Sequence, residues 1–426
     1  MSSLFGHKAG LDIEQKKEPA LSREVRAYYN PPQVKIVLPK DYESAYELQV
    51  SPGESIGKYQ LLLTPTKGNK LPIFATIGGR FQGIHPVLTQ QGKEQMAAVI
   101  KYETDQNFVP DLQGKSIPAD LSVDRAIYLA KRAGIVDEMD KVPLYVKLEK
   151  LQENAEMDRL YGYAVDDEPF ISSQTVQLLQ LPYALAAFQA LCKTFSIKKS
   201  GLFVYAHLDS SKIHLPDHLG GVRLLKVRYP YPAGIRVVRD LNKKKNRMMI
   251  GVGALHHFFM AAAIGMPHIH TLVTVAGDCV TNPVNLLVPQ GTSVEDILHH
   301  CGLMADPERI VVGGSISGFA VDDLSLPVMG DVSGVLALSK QLTQRKNAVE
   351  CIGCGLCVDV CPSNIMPVYV YKALTAGNRE MLPALRVADC IGCGCCSYVC
   401  KSNIDLYVCL QLAAEADRRT RKYAAV

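Results

Sequence analysis

The sequence predicts a multi-domain α/β protein whose C-terminal domain holds two cysteine quartets. Three observations support this: short strand-like segments with glycine at their corners near the N-terminus, alternating helix and strand patterns in the middle, and two dense cysteine runs near the C-terminus. With 426 residues the chain is too long for one ordinary hydrophobic core. We predict domains at residues 1–110, 111–265, 266–338 and 339–426.

The composition is that of a globular protein, with 48% hydrophobic and 21% charged residues. A formal charge of +4 is too small to predict nucleic-acid binding. Thirteen cysteines and an N-terminus without an export signal favour a reducing, cytoplasmic compartment. The most apolar stretches, Leu178–Ile197 and Met248–Gly265, are interrupted by polar residues, so we interpret both as core helices and predict no membrane span.

Turn and strand residues alternate in the first predicted domain. Residues 53–61 (Gly-Glu-Ser-Ile-Gly-Lys-Tyr-Gln-Leu) and 72–84 are short strand candidates with glycine at their corners. Strands this short imply a small β-barrel or sandwich.

The second predicted domain alternates helices and strands. Helix patterns cover Ser122–Ala133 and Thr175–Thr194, a strand covers Gly201–His207, and Met249–Gly265 is a strand or turn that leads into a helix. This alternation predicts a largely parallel sheet. Gly251-Val252-Gly253 could be half of a dinucleotide fingerprint, but the third glycine and the later acidic residue are missing, so we favour a packing role.

The third predicted domain reads as a compact, ubiquitin-like β-grasp module. Strands are predicted at Thr271–Ala276 and Asn285–Val288, and Thr292 or Ser293 is a suitable N-cap for the helix that follows. From Ser339 onward the sequence becomes helical and leads into the cysteines.

Both cysteine quartets have the spacing C-x-x-C-x-x-C-x-x-x-C. In this run three thiolates bind one cubane cluster and the fourth binds the other cluster. The spacing therefore predicts two [4Fe-4S] clusters, with Cys351, Cys354, Cys357 and Cys400 on cluster 1 and Cys390, Cys393, Cys396 and Cys361 on cluster 2.

Other uses of these cysteines fit the spacing less well. Zinc knuckles normally use two separated C-x-x-C pairs, and disulfides are rare in a reducing compartment. Cys395 and Cys409 lie near the second quartet but out of its spacing, so we do not expect them to be ligands.

Taken together, these motifs resemble the C subunit of the Rnf electron-transport complex, a family related to the flavin-bearing, NADH-oxidising subunit of respiratory complex I. Residues 53–61 with Phe74–Arg80 look like the family's lipoyl-like barrel-sandwich domain, and Val273–Asp278 is similar to its SLBB-type β-grasp. The quartets resemble its helical, dicluster ferredoxin domain. The resemblance implies that residues 111–265 form a domain like the complex I flavin subunit, with Tyr229-Pro230 where the family has a Tyr-Pro pair.

One departure from the family concerns the flavin. Flavin-binding members carry a glycine-rich loop of the form GLGGAGFPTH, whose backbone amides hold the flavin phosphate. Here the flanks match at Ala133–Val136 and Val146–Leu148, but Asp137–Tyr145 between them contains no glycine. Without glycines the backbone cannot approach a phosphate closely, and three carboxylates would repel it. We therefore do not expect FMN to bind in the family's manner.

Two single residues keep alternative interpretations. Glu168, in Asp167-Glu168-Pro169-Phe170, resembles the family's acidic element at the flavin and nucleotide site, and it either orients a nucleotide or serves as a structural charge. Lys401 replaces the proline that usually follows the last cysteine of such a quartet. Its charge would raise the potential of a nearby cluster or help a partner to dock, so we predict docking first at the second quartet.

The sequence thus predicts an iron–sulfur subunit that relays single electrons between a partner oxidoreductase and another carrier. Expected partners are other redox subunits, such as a flavoprotein or a ferredoxin, in a cytoplasmic complex that can lie at a membrane surface. The alternatives are an NADH:acceptor oxidoreductase subunit whose FMN is held by a rearranged loop, and a scaffold that the clusters only stabilise.

Overall fold

The computed structural model describes residues 10–103, 114–206, 215–228, 230–242, 246–304, 306–343 and 347–424. His207 and Tyr229, which belong to a predicted strand and a predicted Tyr-Pro pair, lie outside these ranges.

The described residues form twenty strands. They are β1 Arg26–Ala27, β2 Gln33–Val37, β3 Tyr46–Leu48, β4 Ser55–Ile56, β5 Leu61–Pro65, β6 Ile73–Phe74, β7 Gly79–Leu88, β8 Glu94–Tyr102, β9 Arg159–Ala164, β10 Lys199–Tyr205, β11 His218–Leu219, β12 Val222–Val227, β13 Arg247–Gly251, β14 His270–Ala276, β15 Val284–Pro289, β16 Thr292–Ser293, β17 Arg309–Val312, β18 Phe319–Val321, β19 Pro327–Val328 and β20 Gly334–Leu338.

Fourteen α-helices accompany them in the same ranges. They are α1 Glu18–Leu21, α2 Tyr42–Ala45, α3 Val123–Arg132, α4 Leu144–Glu153, α5 Ser173–Gln180, α6 Tyr183–Thr194, α7 Ala233–Asn242, α8 Val252–Ile264, α9 Val294–His300, α10 Lys340–Thr343, α11 Leu356–Asp359, α12 Pro367–Thr375, α13 Cys395–Tyr398 and α14 Leu406–Ala424. Short 3-10 helices cover Arg379–Met381 and Val387–Asp389.

The N-terminal β region contains a three-stranded sheet, β3-β5-β6, and a six-stranded sheet in the order β19-β16-β2-β8-β7-β4. Side chains along β2 and β7 alternate between buried and more exposed positions, as expected for strands with one face on a core. β16 pairs with β2 through Thr292 and Val34, so this sheet also takes strands from residues beyond 265. The lipoyl-like identity of this region stays a prediction.

The central region has a five-stranded sheet in the order β11-β12-β10-β9-β13. β9 pairs in parallel with β10 and β13, β10 pairs in parallel with β12, and β11 is antiparallel to β12. The chain runs from β9 outward on one side and then returns to place β13 on the other side of β9. In open α/β sheets, ligands bind at the carboxyl ends of the strands at such a reversal.

The predicted single helix Thr175–Thr194 was wrong, because the structure has two helices there. α5 ends at Gln180, Leu181 is extended, and Pro182 precedes α6. Proline lacks an N–H and disfavours helical backbone at the residue before it.

Among the described residues, no single helix is long and apolar enough to span a membrane. α5 and α6 reach the required length and composition only together, and they are bent by 78° relative to each other.

The β-grasp region forms a mixed six-stranded sheet in the order β1-β15-β14-β20-β17-β18. α9 packs beside it, and the Ser293 side chain accepts a hydrogen bond of 3.0 Å from the Asp296 N–H, as the sequence predicted for its N-cap.

The C-terminal region is helical and contains an internal repeat. Residues 351–365 and 390–404 differ only at 356/395, 358/397, 359/398 and 362/401. In both copies the glycine before the short helix has positive φ, +78° at Gly355 and +72° at Gly394, which a residue with a Cβ rarely adopts. The two quartets therefore share one local backbone.

A buried asparagine connects three parts of the chain. The Asn285 Nδ2 group donates to Ala20 O at 3.1 Å and to Ser172 Oγ at 3.0 Å, and Asn285 Oδ1 accepts from Thr274 Oγ1 at 2.8 Å. Asn285 is fully buried, so these groups have no access to water as an alternative partner. The contacts hold α1 and the start of α5 against the β-grasp sheet.

Replacing this residue, Asn285→Leu, should lower the free energy of unfolding by about 2–4 kcal/mol, because it leaves buried polar groups without partners. Chemical denaturation of both proteins measures the difference. Asn282→Leu, the same change at an exposed site three residues away, is the control. Equal stability of the two variants would contradict the importance of this contact.

Candidate metal centre and its surroundings

Four cysteines from both quartets line one small cavity in the C-terminal region. They are Cys361, Cys390, Cys393 and Cys396. Cys361 belongs to the first quartet, and the other three belong to the second. The remaining wall is mostly apolar and includes Ile365 and Leu410. The fold therefore brings together the four thiols that the spacing predicts for cluster 2.

The four cysteines predicted for cluster 1 lie closer to the surface. Cys351, Cys357 and Cys400 pack against the apolar cluster of the C-terminal helices, whereas Cys354 is exposed. Among the described residues, no three His, Cys, Asp or Glu side chains converge closely enough to form a single-ion site.

Backbone N–H groups point at the last cysteine of each quartet. Ile365 N lies 3.4 Å from Cys361 Sγ, and Ile404 N lies 3.4 Å from Cys400 Sγ. The Gln411 side-chain amide lies 3.6 Å from Cys390 Sγ. N–H groups directed at cysteine sulfur favour the thiolate, which is the form that binds iron.

Cys395 also lines the cavity, although its spacing does not fit the quartet. Its thiol is hydrogen-bonded to Cys393, and this contact lowers the pKa of Cys393. The sequence placed Cys395 near the second quartet but did not predict its contact with Cys393.

Several residues close in sequence to the thiols predicted for cluster 1 are exposed to solvent. Ile352 is 69% exposed, Tyr398 is 59% exposed, and both lie near the thiols predicted for cluster 1 in sequence. Lys401 is exposed and lines a surface groove with Cys400 and Tyr398. Lys401 therefore lies beside Cys400, the cysteine of the second quartet that is predicted for cluster 1, and does not line the cavity of Cys361, Cys390, Cys393 and Cys396.

Glu168 follows β9 at the carboxyl end of the central sheet and reaches two other regions. Its carboxylate accepts hydrogen bonds from the backbone N–H groups of Ile316, at 3.0 Å, and Ser317, at 3.1 Å. The phenol of Tyr231 lies 2.9 Å from Glu168 Oε1 and 2.7 Å from the carbonyl oxygen of Cys393. Glu168 thus connects the β-grasp loop to the cysteine cavity.

Tyr231 is a residue that sequence reasoning missed. Burial raises the pKa of Tyr231, and the nearby Glu168 charge adds to the rise, so the phenol keeps its proton. Its single proton lies between Glu168 Oε1 and the Cys393 carbonyl. The only local signal is an aromatic residue beside a proline, which does not identify a partner 162 residues away.

Asp167, next to Glu168, has a different partner. Its carboxylate accepts from Gly234 N at 2.7 Å. Burial raises the pKa of Asp167 to about 7, against the opposing effect of the Gly234 N–H. The acidic segment after β9 is therefore used for internal contacts.

The loop without glycines folds back onto a buried lysine. Lys147 Nζ lies 2.6 Å from Asp137 Oδ2, 2.8 Å from Asp140 Oδ2 and 2.9 Å from Met249 O. Lys147 is only 3% exposed. Its ammonium group is therefore already neutralised by two carboxylates of the same loop, and Asp137 also accepts from Gly251 N at 3.0 Å.

Glu138 covers the N-terminus of α8. Its two carboxylate oxygens accept from Gly253 N, at 2.7 Å, and from Ala254 N, at 2.9 Å. A helix N-terminus is an anion-binding site because its first N–H groups lack partners within the helix. Here the chain's own Glu138 carboxyl group occupies this position.

The glycines at this position make room for the carboxylate. A Cβ on Gly251 would lie 2.2 Å from Glu138 Oε1, and one on Gly253 would lie 2.8 Å from the Glu138 carboxyl carbon. Gly251-Val252-Gly253 therefore packs against Glu138, which is the packing role favoured from the sequence.

Two family models match parts of the chain. Residues 350–404 match the 4Fe-4S dicluster domain, and residues 272–320 match the SLBB domain. The first covers both quartets, and the second covers β14 to the loop beside Glu168. These matches agree with the predicted β-grasp and ferredoxin-type regions of a multi-domain α/β chain.

Curated relatives match most of the chain. The C subunit of a proton-translocating ferredoxin:NAD(+) oxidoreductase complex from Clostridium ljungdahlii is 24% identical over 385 residues, which cover 85% of this chain and 83% of the relative. The C subunit of an ion-translocating oxidoreductase complex from Vibrio cholerae is 26% identical over 377 residues, 83% of this chain. The match covers only 48% of the Vibrio protein.

Among solved structures, an NAD+-reducing [NiFe]-hydrogenase in the air-oxidized state matches 71% of this chain and 67% of its own chain, at 14% identity. The TM-score is 0.47, which does not establish a shared fold.

The carboxyl group of Glu138 makes stability depend on pH. Burial raises its pKa from 4.5 to about 8, and the Asp137 charge adds to the rise. Because the folded state holds this proton more tightly than the unfolded state, its contribution is complete below the unfolded pKa and is lost as pH rises through about 8. Glu138→Gln should therefore flatten the decline of the thermal midpoint between pH 5.5 and 8.5.

Thermal unfolding across this pH range measures the effect. Glu153→Gln, an exposed change in α4, is the control and should keep the slope of the parent protein. A Glu138→Gln slope equal to that of the parent would contradict the assignment.

Proposed function

Because this chain is an RnfC-like protein, we propose that it is an iron–sulfur subunit of an oxidoreductase complex that passes single electrons through two [4Fe-4S] clusters. The relatives' names describe subunits of ion-translocating oxidoreductase complexes, and the dicluster match covers both quartets. The observation that carries the proposal is the convergence of Cys361 with Cys390, Cys393 and Cys396 on one cavity.

The residues suit clusters of this kind. Thiolates are the ligands of iron–sulfur clusters, and an apolar wall with N–H groups aimed at sulfur is the usual surrounding. Cluster 2 would be held by the four cysteines of the cavity, and cluster 1 by Cys351, Cys354, Cys357 and Cys400. Each cluster supplies one-electron chemistry when bound. Cys354 is exposed and Cys351 and Cys400 are partly exposed, whereas Cys361, Cys393 and Cys396 are buried.

The filled helix N-terminus supports a protein without FMN. A flavin phosphate would have to displace the Glu138 carboxylate from Gly253 N and Ala254 N, and it would find Lys147 already paired with Asp137 and Asp140. The Glu138 carboxyl group already occupies these N–H groups, so an external phosphate competes at a disadvantage. Electrons would then enter and leave by way of other redox subunits.

The exposed end at Cys354 is the proposed point of exchange with such a partner. Ile352 offers apolar surface close to Cys354 in sequence, and Tyr398 and Lys401 line a groove beside Cys400, another thiol predicted for cluster 1. Exposed apolar side chains beside a redox centre suit a transient protein contact. We propose that the partner is a flavoprotein or ferredoxin subunit of a complex at the membrane surface.

Anaerobic purification with analysis of iron, sulfide and acid-released flavin tests the proposal. We expect about eight irons, no stoichiometric FMN, and cluster reduction by dithionite or a redox partner but not by NADH. Stoichiometric FMN with bleaching by NADH would instead establish the flavoenzyme alternative. Clusters that accept no electron at any accessible potential would favour the scaffold.

The crossed assignment of ligands makes a separate prediction. Cys361→Ser should impair the same EPR signal as Cys393→Ser, and Cys400→Ser should impair the same signal as Cys354→Ser, because each pair shares one cluster. Cys409→Ser is the control and should retain both signals. If Cys361→Ser and Cys354→Ser affected one signal together, each quartet would hold its own cluster.

A further inference from the structure

The two quartets have nearly the same sequence but different surroundings. Eleven of the fifteen residues in 351–365 recur in 390–404, and both copies direct an isoleucine N–H at the last cysteine at 3.4 Å. Ligand type and local backbone are therefore matched. A difference in reduction potential between the two clusters has to come from charge, burial and contacts beyond the repeat.

Glu168, from the central region, lies close to Cys393 of the second quartet and is connected to it through Tyr231. Glu168 accepts from Ile316 N, Ser317 N and the Tyr231 phenol, and Tyr231 also contacts the carbonyl of Cys393. The two backbone N–H groups donate one to each carboxylate oxygen, which favours the ionised form, whereas the phenol shares its single proton between Glu168 and the Cys393 carbonyl. Thus a negative charge is fixed one phenol away from a proposed ligand of cluster 2.

The loop that contains Ile316 and Ser317 packs directly on Gly394, which lies between Cys393 and Cys396. A Cβ on Gly394 would lie 2.4 Å from Ile316 O, and the Tyr407 phenol donates to Ser317 O at 3.0 Å. Because Tyr407 lines the cysteine cavity, the loop that holds Glu168 also holds the cavity wall. The carboxylate cannot turn away without disturbing these contacts.

The thiols predicted for cluster 1 have more exposed surroundings, and the groove beside Cys400 contains both Lys401 and Asp359. Cys354 is exposed, and the exposed Lys401 directly follows Cys400. Solvent and positive charge favour the more negative, reduced form of a cluster, whereas burial and a carboxylate disfavour it. The Gln411 amide at 3.6 Å from Cys390 Sγ acts against this difference, but the contact is long and weak.

We propose that Glu168 is a positioning residue that lowers the potential of cluster 2 below that of cluster 1; this inference rests on the proposed two-cluster function. The first electron delivered to the protein then resides on cluster 1, at the exposed end. Cluster 2 is reduced only by a stronger donor. The acidic residue that resembles a nucleotide contact thus acts on the cluster instead.

EPR-monitored redox titration of the anaerobic, cluster-loaded protein tests the inference. Cys354→Ser identifies the signal of cluster 1. Glu168→Gln removes the charge with little change of shape and should raise the midpoint potential of cluster 2 alone. Tyr231→Phe keeps the charge but removes the phenol, and it should not raise that potential. Glu156→Gln, an exposed change, is the control and should leave both potentials unchanged.

Three results would overturn the inference: no shift in Glu168→Gln, equal shifts of both clusters, or the same loss of the cluster 2 signal in Glu168→Gln and Tyr231→Phe. The last result would indicate structural support without control of potential. Parent protein with far fewer than about eight irons would instead refute the two-cluster function itself. The two failures are therefore distinguishable.

Discussion

The structure depends on a lysine ammonium that is buried and neutralised by its own neighbours. A buried charge without partners is too costly to retain, and Lys147 obtains Asp137 and Asp140 from the loop that precedes it. The same loop then places Glu138 on the N-terminus of α8. These contacts occupy N–H groups at the point where the strand order of the central sheet reverses, which is where such sheets bind ligands. The cysteine clusters remain as the proposed redox centres.

The acidic residues after β9 also have hydrogen-bond partners within the protein. Asp167 accepts from Gly234 N, and Glu168 accepts from the β-grasp loop and Tyr231. Each carboxylate already accepts hydrogen bonds from protein donors, so neither needs a nucleotide as a partner. Glu168 becomes a connection between the central sheet, the β-grasp region and Cys393.

Local patterns predicted the elements whose chemistry is local. Regular cysteine spacing predicted that Cys361 meets Cys390, Cys393 and Cys396, and alternation predicted a largely parallel central sheet. Pro182 also indicated a helix break, but we predicted one helix because the apolar periodicity continues on both sides of it. Contacts between distant residues were not predictable, since nothing near Tyr231 or Asn285 in sequence identifies Cys393 or Ala20 as a partner.

An anaerobic crystal structure with anomalous scattering recorded at the iron edge tests the central claim most directly. We expect two four-iron peaks, one among Cys361, Cys390, Cys393 and Cys396 and one among Cys351, Cys354, Cys357 and Cys400, with the Glu138 carboxyl group on the N-terminus of α8. Single-metal peaks at the quartets, or a flavin phosphate in the place of Glu138, would contradict it.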